Sequence, residues 1–277
     1  MDYTVLNNGI EMPMQGFGVY QISHAGLCQQ VVTEAIGAGY RLIDTASVYG
    51  NEEAVGAAVR QSGVPRNEIF ITTKAWISEM GYDQTLRAFE ASLRRLRVDY
   101  LDLYLIHMPF GNYYGAWYAE KCVRAIGVCN FGADRLIDLC KNAEVIPAVN
   151  QVECHPFTQQ KEILETLRSL HVQVEAWGPL AEGRNELFSH PLLSEIGRKY
   201  GKTVAQVVLR WHLQRGVVAI PKSVHKERMA ENFSIGDFYL DDEDMAVLSS
   251  LDTKRSLILD CHNPVEVERL YQITCNN

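Results

Sequence analysis

The 277-residue sequence has no apolar run approaching the ~20 residues needed to span a bilayer. Its opening, "MDYTVLNNGIEMPM", has no basic segment leading into an apolar core and a small-residue cleavage site. The expectation is a cytoplasmic protein that does not enter a membrane. A basic excess is also missing: the formal net charge is -8, so neither nucleic acid nor an anionic membrane is an expected partner, and any anion must be bound locally. The seven cysteines (Cys28, Cys122, Cys129, Cys140, Cys154, Cys261 and Cys275) form no C-x-x-C pair, which excludes a disulfide framework or a zinc site of that type. Most of them read as buried thiols. The "NFS" sequon at Asn232 has no secretory signal to make it a glycosylation site.

Two phosphate-binding signatures are absent as well. "GFGVYQ" carries Gln21 where a Gly-x-Gly-x-x-Gly site requires its third glycine. "YGKT" fails as a phosphate loop because position 196 is Ile196, so Gly201 reads as a helix end and Thr203 as the next helix cap, with Gln206 completing a capping box. No composition break or Pro/Gly/Ser linker divides the chain, and 47% hydrophobic residues suffice for a full core. One domain over residues 1–277 is expected.

What is present is an alternation of short β-branched runs with longer segments of helical period. The runs are "GFGVY", "RLIDTA", "IFITTKAW", "DLYLIHMP", "RAIGVCN", "AVNQVEC", "VQVEAW" and "VVAIPKS". Eight βα units favour a closed (β/α)₈ TIM barrel, normally about 250 residues, with an open doubly wound sheet as the alternative. "YTVL" and "IEMPM" around "NNG" read as an N-terminal β-hairpin capping the barrel floor. Helices are expected at "DQTLRAFEASLRRLR", from Leu86, Phe89, Leu93 and Leu96, and at "TVAQVVLRWHLQ".

A parallel barrel carries its chemistry at the C-terminal ends of its strands. There the sequence places Asp44 and Tyr49, Lys74, His107, Asn130, Gln151 with Glu153, Trp177, and Lys222 with Ser223. Tyrosine, with an unperturbed pKa of about 10, is a poor acid unless a cation favours its phenolate. Lys74 can be that cation, Asp44 can hold it charged, and His107 can donate to a substrate oxygen. Such a set protonates an oxygen without a metal or a nucleophile, which suits carbonyl reduction. No clustered ligand set stands at the strand ends, so no metal is expected and a metal-dependent hydrolase is disfavoured. Singly, each residue has an ordinary reading: Asp44 as a helix cap, Tyr49 as a core aromatic, Lys74 as a solvated strand end, His107 as a core histidine.

"GYRLIDTASVYGNEEAVG", "FITTKAW", "DYLDLYLIHMP", "RAIGVCNF", "PAVNQVECHP", "VEAWGPL" and "IPKSVHKERMAEN" together resemble the successive motifs of the aldo-keto reductases over nearly the whole chain. The likeness includes the bacterial or protist-like branch of 2,5-diketogluconate reductase and prostaglandin F synthase type. The resemblance implies a (β/α)₈ barrel that binds NADPH across its C-terminal face and passes hydride to an aldehyde or ketone. It implies Tyr49 as general acid, Lys74 as the group lowering its pKa, Asp44 as the partner of Lys74 beside the cofactor, and His107 as the group orienting the carbonyl. Asn130 and Gln151 would hold the nicotinamide carboxamide, Trp177 would stack on its ring, and Gly178 to Leu180 would line the pyrophosphate path. Lys222, Ser223, Val224 and Arg228 would meet the adenosine 2′-phosphate, with Glu231 and Asn232 near the adenine, although the same stretch reads as a solvated basic helix start. Tyr20, Trp76, His107, Met108 and Phe110 would wall the substrate pocket together with Tyr113, Tyr114 and Trp117, which alternatively are core aromatics.

Three positions depart from the family pattern: Met108 in place of tryptophan, Gly178 in place of serine and Cys129 in place of serine. "WYAEKCVR" is also about two helical turns shorter than the corresponding family segment. A shortened fourth helix with exposed apolar surface near the fourth and fifth strands is expected, as is a permissive pocket beside the short tail after Asp252. The expected partner is a small carbonyl compound, and the expected state a monomer or weak dimer. The alternative is a catalytically weak, regulatory NADPH-binding protein on the same barrel.

Overall fold

Each of the eight apolar runs forms a parallel strand in the computed structural model, which describes residues 2–119 and 123–275. After the hairpin β1 (Tyr3–Val5) and β2 (Glu11–Pro13) come β3 (Gly16–Gly18), β4 (Leu42–Asp44), β5 (Phe70–Ala75), β6 (Leu103–Ile106), β7 (Ala125–Cys129), β8 (Val149–Glu153), β9 (Gln173–Trp177) and β10 (Val218–Ala219). Neighbours in sequence are neighbours in the sheet. Ala219 N–H donates to Met14 O and Gly18 N–H to Pro221 O, each at 3.1 Å, so the last strand meets the first. The sheet closes into a barrel, and the open-sheet alternative is set aside.

The helices are α1 (Ala25–Ala38), α2 (Glu52–Gln61), α3 (Tyr82–Leu96), α4 (Tyr113–Ala119), α5 (Ala133–Asn142), α6 (Lys161–Ser169), α7 (Pro191–Tyr200), α8 (Val204–Gln214), α9 (Lys226–Phe233), α10 (Asp242–Ser250) and α11 (Pro264–Tyr271). No helix among the described residues is long and apolar enough to cross a membrane. The capping box at α8 forms as expected: Thr203 Oγ1 accepts from Gln206 N–H (3.3 Å) and Gln206 Oε1 from Thr203 N–H (3.1 Å). Gly201, at φ 64°, ends α7.

Successive strand side chains point to opposite faces. Ile43, Ile71, Tyr104, Ile106, Val128, Val152 and Val174 face outward and pack against α1, α2, α3, α5 and α6 in one buried layer. Each fully buried aliphatic side chain there contributes roughly 1.5–3 kcal/mol of transfer energy. Facing inward at the lower end are Leu42, Phe70, Leu103, Leu105, Ala125, Val149, Val218 and Ile220, capped by Leu6, Met12 and Met14 of the hairpin region. The interior is narrow enough to demand glycine: a Cβ on Gly16 would lie 2.3 Å from Leu42 Cδ2.

The fourth crossover helix is described over only seven residues, Tyr113–Ala119. Beside it a groove of about 350 Å³ is lined by Trp117, Tyr118, Val123, Ala125, Ile126 and Val145, and Val145 is 54% exposed. The expected apolar exposure is present. Cys122 lies outside the described residues. Asn232 is buried in α9, a second reason against glycosylation there.

Candidate active site

β4 delivers Asp44 to the upper rim, and a 3₁₀ turn, Ser47–Tyr49, carries Tyr49 back over it. Buried hydrogen bonds fix this turn. Thr45 Oγ1 donates to Asn51 Oδ1 (2.7 Å), Asn51 Nδ2 to Val19 O (3.0 Å) and Ile22 O (3.2 Å), and Ser47 Oγ to Lys74 O (3.0 Å). Asp44 therefore does not cap α2. It pairs instead with Lys74, whose Nζ lies 2.6 Å from Asp44 Oδ1 and also donates to Thr45 O (3.0 Å).

Lys74 is fully buried, so it is no solvated strand end. Burial works against its charge, but Asp44 first and Tyr49 second outweigh it, and the ammonium is held above the ordinary lysine range. Lys74 Nζ sits 5.2 Å from the centroid of the Tyr49 ring. The tyrosine requires a correction: burial pushes its phenol up by more than Lys74 pulls it down, so the protein alone keeps Tyr49 protonated and does not bring its pKa toward neutrality. His107 closes the group, its ring edge-on to Tyr49 (centroids 5.6 Å apart) and to Trp76 (4.9 Å). Burial first and the Lys74 charge second hold its imidazole well below the usual pKa, so it is neutral at pH 7. His107 Nδ1 has no hydrogen-bond partner among the described residues.

Beside this group, Trp177 Nε1 donates to Asn130 Oδ1 (2.9 Å), while Asn130 Nδ2 donates to His107 O (3.1 Å). Both ends of the Asn130 amide are thus engaged within the protein. Gln151 gives its Nε2 to Asp44 Oδ2 (2.9 Å) and Glu175 Oε2 (2.7 Å), and its Oε1 meets only the Cys129 thiol at 3.7 Å. That oxygen is the end of the amide not committed to a carboxyl group. Gly178 adopts φ 58°, and an added Cβ would stand 3.0 Å from Ile258 Cδ1, which accounts for glycine in place of serine. Leu180 is half-buried against α8-side core residues.

Lys222, Val224 and Arg228 are exposed after β10, and no ion pair engages either cation among the described residues. Ser223 is buried, its Oγ accepting from His225 N–H at 3.1 Å. Asn232 is buried, and Glu231 Oε1 accepts from Thr203 Oγ1 (2.8 Å).

Of the expected pocket aromatics, Tyr20 lies tilted against Tyr49 (ring centroids 5.0 Å apart) and is 53% exposed, and Trp76, Met108 and Phe110 form one apolar cluster. Tyr113 and Trp117 do not belong to it. They pack in the layer between α4 and the barrel, Tyr113 on Phe131, and Tyr114 bonds Asp138; helix packing claims them. The C-terminal segment, whose shortness suggested only a permissive pocket, packs against this cluster. Leu259, Cys261, Leu270 and Cys275 join Trp76 and Met108, Tyr271 lies 6.2 Å from Phe110, and Trp76 Nε1 donates to Ile273 O (2.7 Å). The signal for it was α11, an amphipathic stretch with Asn263 as cap and proline at its first position.

That segment is anchored by Glu153 at the end of β8. Its Oε1 accepts from His155 Nε2 (3.0 Å), Leu257 N–H (2.8 Å) and Ile258 N–H (3.2 Å), and its Oε2 from Ser256 Oγ (2.6 Å) and Leu259 N–H (3.2 Å). Burial pushes this carboxyl up, but the hydrogen bonds more than offset it and leave it below the ordinary range, hence ionised.

The closed parallel barrel is apolar at its floor and gathers ionisable groups at its C-terminal rim, the end where such barrels carry their chemistry. Residues 24–253 match the Aldo/keto reductase family, and the chain belongs to that family of oxidoreductases. It is 48% identical to the glyoxal reductase of Bacillus subtilis (strain 168) over 257 residues, covering 90% of this chain and 92% of the relative. It is 45% identical to the morphine 6-dehydrogenase of Pseudomonas putida over 268 residues, 90% of each chain. Among solved structures, an aldo-keto reductase from a Medee basin deep-sea metagenome library superposes with a TM-score of 0.91 at 40% identity, covering 94% of this chain and 98% of that one. The aldo-keto reductase of Bombyx mori, solved in complex with NADP, gives 0.88 at 33% identity over 93% and 94%.

Proposed function

We propose that this aldo/keto reductase uses NADPH to reduce small aldehydes, ketones and dicarbonyls to alcohols, with Tyr49 as the general acid. The observation that carries this reading is the buried Lys74–Asp44 pair, 2.6 Å apart, directly beneath the Tyr49 ring. NADPH supplies the hydride when bound.

Tyr49 is protonated at neutral pH, as a donor must be, and gives its hydroxyl proton to the carbonyl oxygen. The phenolate left behind lies beside a permanently charged Lys74, and Asp44 keeps that charge in place. His107, neutral, offers a ring N–H to the same oxygen without bringing a second cation next to Lys74. A proton from solvent then restores Tyr49. Gln151 Oε1, met only weakly by the Cys129 thiol, is the acceptor for the nicotinamide carboxamide, with Asn130 beside it and Trp177 held by Asn130 as the stacking face. Lys222 and Arg228, exposed and without an ion-pair partner among the described residues, suit a 2′-phosphate and favour NADPH over NADH, with Ser223 and Val224 between them. Tyr20, Trp76, Met108 and Phe110 receive the substrate.

The name of the glyoxal reductase relative supports a compact dicarbonyl as substrate, and the NADP complex of the Bombyx mori relative supports the cofactor. A single barrel over 1–277 acting on small molecules is part of this reading. The test is cofactor oxidation with NADPH and NADH against glyoxal, methylglyoxal, simple aldehydes and keto-sugars. Turnover with NADPH on a dicarbonyl is expected. Quenching of tryptophan fluorescence by NADPH with no turnover on the whole panel would instead identify a binding protein.

A further inference from the structure

Glu175 stands in the middle of β9, two residues before Trp177, fully buried inside the barrel. It lies directly across from Gln151 in the β8–β9 register. The Gln151 Nε2 group bonds both Glu175 Oε2 (2.7 Å) and Asp44 Oδ2 (2.9 Å), and Asp44 Oδ1 holds Lys74 (2.6 Å). One amide thus bridges two carboxyl groups, and one cation serves both.

The titratable groups facing Glu175 are Asp44 of β4 and Lys74 of β5, and Cys129 of β7 also feels it. The flanking β10 and the barrel-closing β3 contribute only glycine, phenylalanine, valine and alanine. Cys129 is kept a neutral thiol, because burial pushes it far above the thiol range. Two carboxylates against one ammonium would leave a net negative charge in a dry interior, which is strongly unfavourable. Asp44 is bound to Lys74, so the proton goes to Glu175, whose carboxyl is raised to about 8, by burial first and the Asp44 charge second. Glu175 Oε1 has no hydrogen-bond partner among the described residues. A proton there forgoes one hydrogen bond, whereas an ionised carboxylate would bury an uncompensated charge.

We infer that Glu175 is a positioning residue of the catalytic centre: it holds the Gln151 N–H group inward, leaving the Gln151 oxygen as the ligand-facing end, and it withholds a second negative charge from Lys74. This rests on the roles proposed for Gln151, Asp44 and Lys74. As pH rises through about 8, Glu175 ionises, the phenolate of Tyr49 loses favour, and carbonyl reduction falls.

Glu175→Gln keeps the size and the acceptor oxygen but cannot ionise. The first readout needs no cofactor. The folded pKa of Glu175 lies above its unfolded value of about 4.3, so wild type loses stability relative to E175Q as pH rises from about 4.5 to 8, and the difference is constant above that. Thermal melts from pH 5 to 9 should show E175Q gaining at least about 5 degrees on wild type across that window. A difference that does not change with pH overturns the proton assignment.

The second readout is the alkaline limb of kcat/KM, expected near pH 8 in wild type and at least one unit higher in E175Q; the same limb in both overturns the charge role. Glu175→Leu removes the acceptor and should weaken NADPH binding, read by tryptophan quenching, by about tenfold; an unchanged Kd in a folded variant overturns the orienting role. Should wild type reduce no carbonyl at all, the proposed function fails, while the melting difference and the Kd still decide this inference.

Discussion

The two ends of one barrel interior are built on opposite terms. At the floor, Leu42, Phe70, Leu103, Val149 and the hairpin methionines fill the space with apolar volume, and every contact adds to stability. At the rim the same strands, two or four residues further on, present Asp44, Lys74, Gln151 and Glu153, and β9 adds Glu175, all buried and in need of partners. The period of two that drives one end to oil drives the other to ions. The floor holds the strands in register so that the rim can hold charges at 2.6 Å.

The contrast breaks most visibly at Tyr49. Tyr49→Phe should lower kcat for carbonyl reduction by roughly 10²–10⁴-fold, with NADPH affinity, read by tryptophan quenching, changed by less than about threefold. Near wild-type turnover would remove Tyr49 as the acid. Next come paired losses of comparable size and different kind. Phe70→Ala at the floor should cost about 3–5 kcal/mol in denaturant unfolding while turnover at low temperature survives. Lys74→Met at the rim strands Asp44 and should cost about 3–5 kcal/mol together with activity. If both variants lost only stability, the division between the two ends would be false.

Smaller effects sharpen the boundary. Gly178→Ser forces a side chain into a left-handed backbone against Ile258 and should cost about 1–2 kcal/mol. Thr203→Ala removes one cap together with its hydrogen bond to Glu231 and should cost about 1 kcal/mol with kcat unchanged.

The strands were legible because each apolar run is local and flanked by helical period. Asp44, Lys74 and His107 were legible as a group because each closes a successive strand, so strand order alone brings them together. Three things were not. The net pKa of Tyr49 depends on how deeply the finished fold buries it, which no spacing encodes. The contact of Trp76 with Ile273 spans 197 residues, and nothing local in either segment announces it. Glu175 sits two residues before Trp177 and so on the same strand face. Alternation could have placed it inside, but its partner Gln151 is 24 residues away. Tyr113 and Trp117 misled for the converse reason: aromatics near a site are claimed by whichever layer their helix faces.

The anchor at Glu153 has one more consequence. Three of its five donors are the main-chain amides of Leu257, Ile258 and Leu259, and main-chain amides are common to every residue except proline. Apart from the Ser256 hydroxyl, the grip is therefore indifferent to which side chains the tail carries. Substitutions at Leu259, Cys261 or Leu270 can therefore reshape the apolar surface packed on Trp76 while the main-chain part of the anchor stays intact.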